Sequence, residues 1–515
     1  MVQIILLTIL FSVITFLDAA RILTVVPTPS ISHQFVFRAL VQELVRIGHH
    51  VTVITTDPIF KYEQAPPNLI EIDVHNISYI TWDKELAKSI YTNNIIDRIR
   101  LSLHMFGAII GQQLQMTEIQ DLIKKKPPFD LVIAEACMRP ALIFSYLFQA
   151  PIILMSSFGA MFGTNAVIGA PNHPLMQPLI VRRRLYNLTW WEKVRETYYQ
   201  LRFEHLFYEQ EEKENLMLRK IFGDDIPTLS ELYNNVNVVF LNVHPLWNDN
   251  QPVPPGVVYV GGIHQNPPKR LPKELALYLN SSKHGVIYIS FGTNVKLSIL
   301  MPSKVRMMIK VFSELPYDVI WNLDGEFPDN ASNIKVFNWL PQSDLLQHPN
   351  IKLFITQGGL QSTDEAITGG VPLIGIPFIG DQWYNAEKYV RHGIGKKLEM
   401  DTLTEEEFKN AIREVIEVQS YKNNTIRLRE LMRDEPLTSL ERAIWWTEHV
   451  LRHGGARHVR SPAANMSWAE YYELNLVLLL LAILFTIVIV TFVTFCYLKR
   501  YIVLNVLPAM KSKVL

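Results

Sequence analysis

Short apolar runs that end in glycine or polar loops and restart as helices recur through most of this chain. That alternation restricts it to an α/β fold with parallel sheets. The first instance is the apolar, β-branched run Arg21–Val26, followed by the polar loop "PTPSISHQ". Phe37, Leu40, Val41, Leu44 and Val45 then share one helical face, Gly48 closes the helix, and a second strand spans Val51–Thr55. Strand, helix and strand within about 35 residues make a βαβ unit. Further buried strands are expected at Phe129–Ala136 and Pro151–Ser157.

The second half repeats the pattern. Strands are expected at Val286–Ser290, leading to "FGTN", and at Val319–Leu323, with "IKVFNWLPQ" next. Lys352–Ile355 leads to "TQGGLQ" and Pro372–Ile376 to "PFIGDQ". At 515 residues two domains are expected, facing each other across a cleft, with ligands beyond the carboxyl ends of the strands. Residues 21–250 read as an N-terminal domain, 251–265 as a Pro- and Gly-rich linker leading into a short strand, and 266–460 as a C-terminal domain. Between Pro171 and Tyr233, an Arg-, Tyr-, Trp- and Glu-rich pattern with helical spacing fits a mobile helical insertion or lid.

The ends are unlike the rest. Ile4–Leu17 is apolar but too short to span a bilayer, and with Asp18, Ala19 and Ala20 it reads as a signal peptide at 1–20; a retained anchor is the alternative. Leu474–Leu498 is long enough for a transmembrane helix. Trp468, Tyr471 and Tyr472 precede it, and Lys499 and Arg500 follow, which places the tail 499–515 in the cytosol and the bulk of the chain in the lumen. Lys511 and Lys513 resemble a dilysine signal for retrieval to the endoplasmic reticulum, unless they are simply part of a basic tail. Cys496 falls in the span, so Cys137 has no lumenal partner; sequons stand at Asn76, Asn187, Asn280, Asn330, Asn423 and Asn465. Zero net charge with 19% charged residues argues against a nucleic-acid partner.

The chemistry lies in the loops. Gly358 and Gly359 before a helix, and "FGTN" with Gly292 and Thr293, suit close approach of a phosphate to backbone N–H groups, although an ordinary tight turn explains either loop alone. Ser362 and Glu365 have capping-box spacing, and a carboxylate can also accept ribose hydroxyls. His33, in a strand-to-helix loop, can serve as a general base or be a surface histidine. Glu135, ending an apolar strand near the same edge, can orient its imidazole. Asp381 and Gln382 can read sugar hydroxyls, or Asp381 can cap the next helix. No His/Cys/Asp set has metal-ligand spacing, and no Asp-x-Asp motif appears.

The segment "FNWLPQSDLLQHPNIKLFITQGGLQSTDEAITGGVPLIGIPFIGDQWYNAEKY" resembles the signature of membrane-bound UDP-glycosyltransferases, particularly insect and baculoviral UDP-glucosyltransferases. The likeness extends through "VYVGGIH", "FGTN" and "LRHGGARHVR". It implies a GT-B fold of two Rossmann-like parallel-sheet domains, with an N-terminal acceptor domain and a C-terminal UDP-sugar domain. His33 matches the catalytic base, and Glu135 stands where an aspartate is common. Trp339 would stack on uracil, with Gln342 in the same loop. Gly292, Thr293, Gln357, Gly358 and Gly359 match the diphosphate loops, Gln357 replacing a common histidine and Gln361 a common asparagine. Glu365 matches the ribose ligand, and Asp381 and Gln382 the donor-sugar pair.

The function so implied is inverting, metal-independent transfer of a hexose, glucose more than glucuronate, to a hydroxyl of a small lipophilic acceptor. UDP-sugar is co-substrate and no cofactor is implied. Membrane lipid surrounds the single-pass helix, and a homo-oligomer is left open. The alternatives are a catalytically silent binding protein of the same fold and a transferase that uses UDP-glucuronate or acts on lipid or protein glycans.

Overall fold

The computed structural model describes residues 19–60, 64–90, 94–161, 163–169, 173–293, 301–323 and 331–506. The expected leader up to residue 18, Asn294 of "FGTN", the sequon at Asn330, and Lys511 and Lys513 lie outside the described residues. The chain divides into two compact units, Met1–Pro462 and Ala463–Leu515.

The larger unit holds two wholly parallel sheets. The first contains β1 (Arg21–Val26), β2 (His50–Thr55), β3 (Leu69–Asp73), β4 (Leu131–Glu135), β5 (Ile152–Ser156), β6 (Val236–Leu241) and β7 (Val257–Tyr259), in the order β3-β2-β1-β4-β5-β6-β7. The second contains β8 (Val286–Ser290), β9 (Asp318–Asn322), β10 (Ile334–Phe337), β11 (Ile351–Thr356), β12 (Leu373–Gly375) and β13 (Gly395–Lys397), in the order β10-β9-β8-β11-β12-β13. β4, β5 and β8 are buried along their whole length. Helices cover both faces of such sheets, so these strands read as continuous apolar runs rather than alternating ones.

Strands β3, β6, β10 and β13 go beyond the sequence expectation, β10 being an edge strand without a buried residue. β3 and β13 are edge strands with one buried residue each, which weakens their apolar signal. In β6 the run is interrupted by buried Asn237, whose amide donates to Asn235 O at 2.7 Å and accepts from Ala456 N–H at 2.6 Å. Among the described residues, the expected helical insertion holds the long helix Trp190–Phe222, started by a capping box of Thr189 and Glu192, and the short helix Leu229–Leu232. Phe203, Leu206 and Leu218 are buried, and the long helix lies so close to helix Ile95–Gln113 that a Cβ at Gly107 would stand 2.8 Å from Gln210 Nε2 and one at Gly111 2.4 Å from Met217 Sδ.

Helix Ser439–Arg452 returns to the first sheet, where Ala443 and Val450 share a core with Ile22, Val36 and Leu40. Buried His49 accepts Ala20 N–H at Nδ1 and meets Glu448 Oε1 at 2.6 Å through Nε2, tying this helix to the start of the sheet. In the smaller unit, Leu474–Asn505 is long and apolar enough to cross a membrane, with a mean hydropathy of 3.3 over its most apolar 18 residues.

In both sheets strand order reverses once, between β1 and β4 and between β8 and β11. Ligands of open α/β sheets bind beyond the carboxyl ends of strands at such points. His33 follows β1, Glu135 ends β4, Gly292 follows β8 and Gln357 follows β11.

Candidate active site

His33 lies in the first turn of helix Ile31–Arg46, not in the preceding loop. The proline-containing segment ends at Ser30, the N-cap, so the helix starts earlier than its apolar face suggests. Nδ1 of His33 is hydrogen-bonded to Glu135 Oε1. A carboxylate is acceptor-only, so the proton sits on Nδ1 and the Nε2 lone pair is free to take another. Thr28 N–H donates to Glu135 Oε2 at 3.2 Å. Burial pushes the Glu135 carboxyl up, but the facing His33 charge and the bonds from His33 and Thr28 outweigh it and leave the group below the usual carboxylate range. Phe158 meets the imidazole edge-to-face at 5.2 Å.

Cys137 joins this pair, its sulfur 3.3 Å from Thr28 Oγ1. Although no ligand spacing is visible in the sequence, the fold brings atoms of His33, Glu135 and Cys137 within 4.8 Å of one another. His33 and Glu135 are already bonded directly, and burial pushes the Cys137 thiol well up, so it stays protonated. The trio is thus arranged as a hydrogen-bonded dyad beside a neutral thiol.

Across the cleft, the glycines accommodate the chain's own atoms. A Cβ on Gly292 (φ +71°) would stand 2.3 Å from Gln357 Nε2, and one on Gly359 3.1 Å from it. At Gly358 (φ +92°) it would stand 2.9 Å from Gln382 O. Gln357 Oε1 accepts from Thr356 Oγ1 at 2.9 Å, which directs its NH₂ over both glycine loops, where it can donate to an anion. Thr293 is exposed at the tip of the first loop.

The capping-box reading of Glu365 is overturned. The helix runs Leu360–Gly369 with Gly359 as N-cap, so Ser362 is already inside it. Gln342 Nε2 instead donates to Ser362 Oγ at 2.9 Å and to Glu365 Oε2 at 2.6 Å, while Gln342 Oε1 accepts from Tyr288 at 3.0 Å. Gln342 therefore orients Glu365. Burial pushes the Glu365 carboxyl up to about 7, against the opposing effect of that bond. Trp339 is 74% exposed, an unused ring face at the end of the cleft.

Asp381 occupies the N-cap position of helix Gln382–Arg391 but makes no capping bond, which removes the cap alternative. Burial pushes its carboxyl up to about 6, opposed by Asn385 and, across the cleft, by the charge of His33. Gln382 folds back, its Oε1 accepting Phe378 N–H at 2.7 Å and Ile379 N–H at 2.8 Å, so only its NH₂ is left for a ligand. Gln361 Nε2 donates to Ser157 O at 3.0 Å, bridging the two sheets' loops rather than facing the cleft. Sequence reasoning missed Ser362 as a partner of Gln342, and it missed Asn385, whose i, i+4 spacing from Asp381 on one helix is the available signal.

Two Rossmann-like domains with their switch-point loops turned to one cleft define a GT-B fold. Solved structures agree: an anthocyanidin 3-O-glucosyltransferase in complex with UDP aligns with a TM-score of 0.57 at 16% identity, covering 85% of this chain and 99% of that one. The glycosyltransferase of kitacinnamycin aligns at 0.56 and 19%, covering 83% and 98%. The family described as "UDP-glucoronosyl and UDP-glucosyl transferase" matches residues 21–507, and the chain belongs to it: it is a UDP-glycosyltransferase. It is similar to the ecdysteroid UDP-glucosyltransferase of Spodoptera littoralis nuclear polyhedrosis virus, 34% identical with 91% of this chain and 95% of that protein covered. UDP-glucosyltransferase 2 of Dactylopius coccus is 32% identical, with 96% and 94% covered.

Proposed function

We propose that this chain transfers glucose from UDP-glucose to a hydroxyl of a small lipophilic acceptor, with inversion and without a metal. The observation that carries the reading is the hydrogen bond between His33 Nδ1 and Glu135 Oε1 at one sheet's switch point, which leaves the Nε2 lone pair available as a base. Nε2 of His33 takes the acceptor proton as the acceptor oxygen bonds to the anomeric carbon. The bond from that carbon to the β-phosphate oxygen breaks, and its electron pair leaves with UDP. Glu135 stabilises the imidazolium that forms. Charge growing on the diphosphate meets N–H groups at the start of helix Leu360–Gly369 and the Gln357 amide. Trp339 stacks on uracil and Glu365 accepts the ribose hydroxyls.

Glucose and a steroid-sized acceptor are favoured by the relatives, which are named as UDP-glucosyltransferases, in the first case of ecdysteroids. With the span at Leu474–Asn505, the sequence pattern favours a type I protein of the endoplasmic reticulum with lumenal domains. The test is transfer from labelled UDP-glucose and UDP-glucuronate to an ecdysteroid and small phenols, using full-length protein in microsomes. Glucoside formation supports the reading. Preference for glucuronate would overturn the donor assignment, and UDP binding without any transfer would leave a silent binding protein.

A further inference from the structure

Two domains that share a substrate need a way to keep their halves of the site in register, and one buried side chain spans that gap. Asn385, 2% exposed, makes three hydrogen bonds. Its Nδ2 donates to Asp381 Oδ2 and to Gly358 O, both at 2.8 Å, and its Oδ1 accepts from Trp247 Nε1 at 3.0 Å. Trp247, 1% exposed, belongs to the loop after β6 in the first domain, and its ring stacks on His392 at 5.4 Å and 18°, which fixes the direction of its N–H.

We infer that Asn385 is a positioning residue for the donor sugar, holding Asp381 and the Gly358 loop together in an orientation that Trp247 sets from the opposite domain. Indole N–H is donor-only, so it accepts no alternative: Asn385 must turn its oxygen to Trp247 and its NH₂ to the two acceptors. With Trp247 in place the amide cannot flip without leaving a buried donor unpaired. The inference rests on the reading that Asp381 faces the donor sugar.

Among the described residues, the groups acting on Asp381 are Asn385 and Tyr389 on its own helix, its own backbone N–H, His33 from the first domain and the Leu360 N–H from helix Leu360–Gly369. Burial holds the Asp381 carboxyl up at about 6, and the Asn385 bond is the largest influence pulling it down. An ionised carboxylate accepts sugar hydroxyls through both oxygens, and protonation removes that capacity.

The test is the pH dependence of KM for UDP-glucose in the full-length wild type, in Asn385→Leu, and in the double variant Trp247→Phe/Asn385→Leu, with thermal midpoints measured in parallel. Asn385→Leu leaves the Trp247 N–H buried without an acceptor, so it is expected to unfold at lower temperature. The double variant removes that orphan donor and is expected to recover much of the midpoint. In both, the rise of donor KM on acidification is expected roughly one pH unit above its position in wild type, a KM about threefold higher near pH 6.5 and about fivefold higher near pH 6. A limb that stays in place, or that returns to the wild-type position along with the stability of the double variant, would overturn the inference. A wild type that turns over no UDP-sugar would instead overturn the proposed function, and this inference with it.

Discussion

Replacing Glu135 with glutamine removes one charge and one acceptor from a site where both oxygens are committed. The carboxylate takes His33 Nδ1–H through Oε1 and Thr28 N–H through Oε2, the latter at 3.2 Å. A glutamine amide has a single acceptor oxygen. If that oxygen faces His33, the NH₂ opposes the N–H of fully buried Thr28, and an unpaired buried donor costs about 1–3 kcal/mol. If the amide flips, Thr28 is satisfied but the NH₂ donates to Nδ1, which moves the imidazole proton to Nε2 and abolishes the base. The flipped form is therefore favoured by that same amount. Loss of the charge that stabilises imidazolium adds roughly 4 kcal/mol for charges about 4 Å apart at an effective dielectric of about 20. On the order of 5–7 kcal/mol in all exceeds what general-base catalysis supplies, so the fall in kcat is set by the whole contribution of the base, about 10²–10⁴. The assay is UDP release under saturating donor, with UDP affinity measured calorimetrically. Affinity is expected to hold within about twofold, because Glu135 touches none of the donor loops. A Glu135→Gln variant that keeps more than about a tenth of kcat, or that loses UDP affinity in step with it, would show that Glu135 does not act through the His33 imidazole.

Three further perturbations address the donor half. Trp339→Ala, at a 74% exposed position, is expected to weaken UDP binding by about 1–3 kcal/mol while leaving stability within about 0.5 kcal/mol, as calorimetry and urea unfolding would show. Gly292→Ala must carry a side chain at φ +71°, at a cost of about 1–2 kcal/mol, and push its Cβ into the Gln357 amide; a lower urea midpoint and a higher donor KM are the expected readouts. Glu365, held at about 7 when folded against an ordinary carboxylate value when unfolded, binds more protons folded than unfolded between those two values. The ligand-free protein should therefore gain stability from this group as pH falls from about 7, and lose that gain as pH rises through 7. UDP affinity should do the reverse, weakening below about 7 as the ribose acceptor protonates, and Glu365→Gln should flatten both dependences in unfolding and binding titrations.

The parts of the molecule legible in its sequence are those set by local pattern. β1 and β8 coincide with their expected bounds because strands covered on both faces are unbroken apolar runs closed by turn residues. The cleft loops were visible because each follows such a strand. What a sequence does not contain is distance across the chain. Ser362 and Glu365 have the spacing of a cap, but the spacing does not say where the helix begins, and Gly359 starts it three residues sooner. The glycines signal close approach without naming the visitor, and for Gly292 that visitor is Gln357, brought there by the pairing of β8 with β11. Cys137 beside His33, and Trp247 beside Asn385, are products of packing, with no local pattern to announce them.

The central claim is that one imidazole, free at Nε2, removes the acceptor proton in front of a donor site it does not build. Turnover of UDP-glucose by full-length His33→Ala, measured at saturating donor alongside UDP affinity, tests it most directly. A kcat lower by about 10²–10⁴ with UDP affinity unchanged is expected if His33 is the base, whereas undiminished UDP-sugar-dependent turnover would exclude that role.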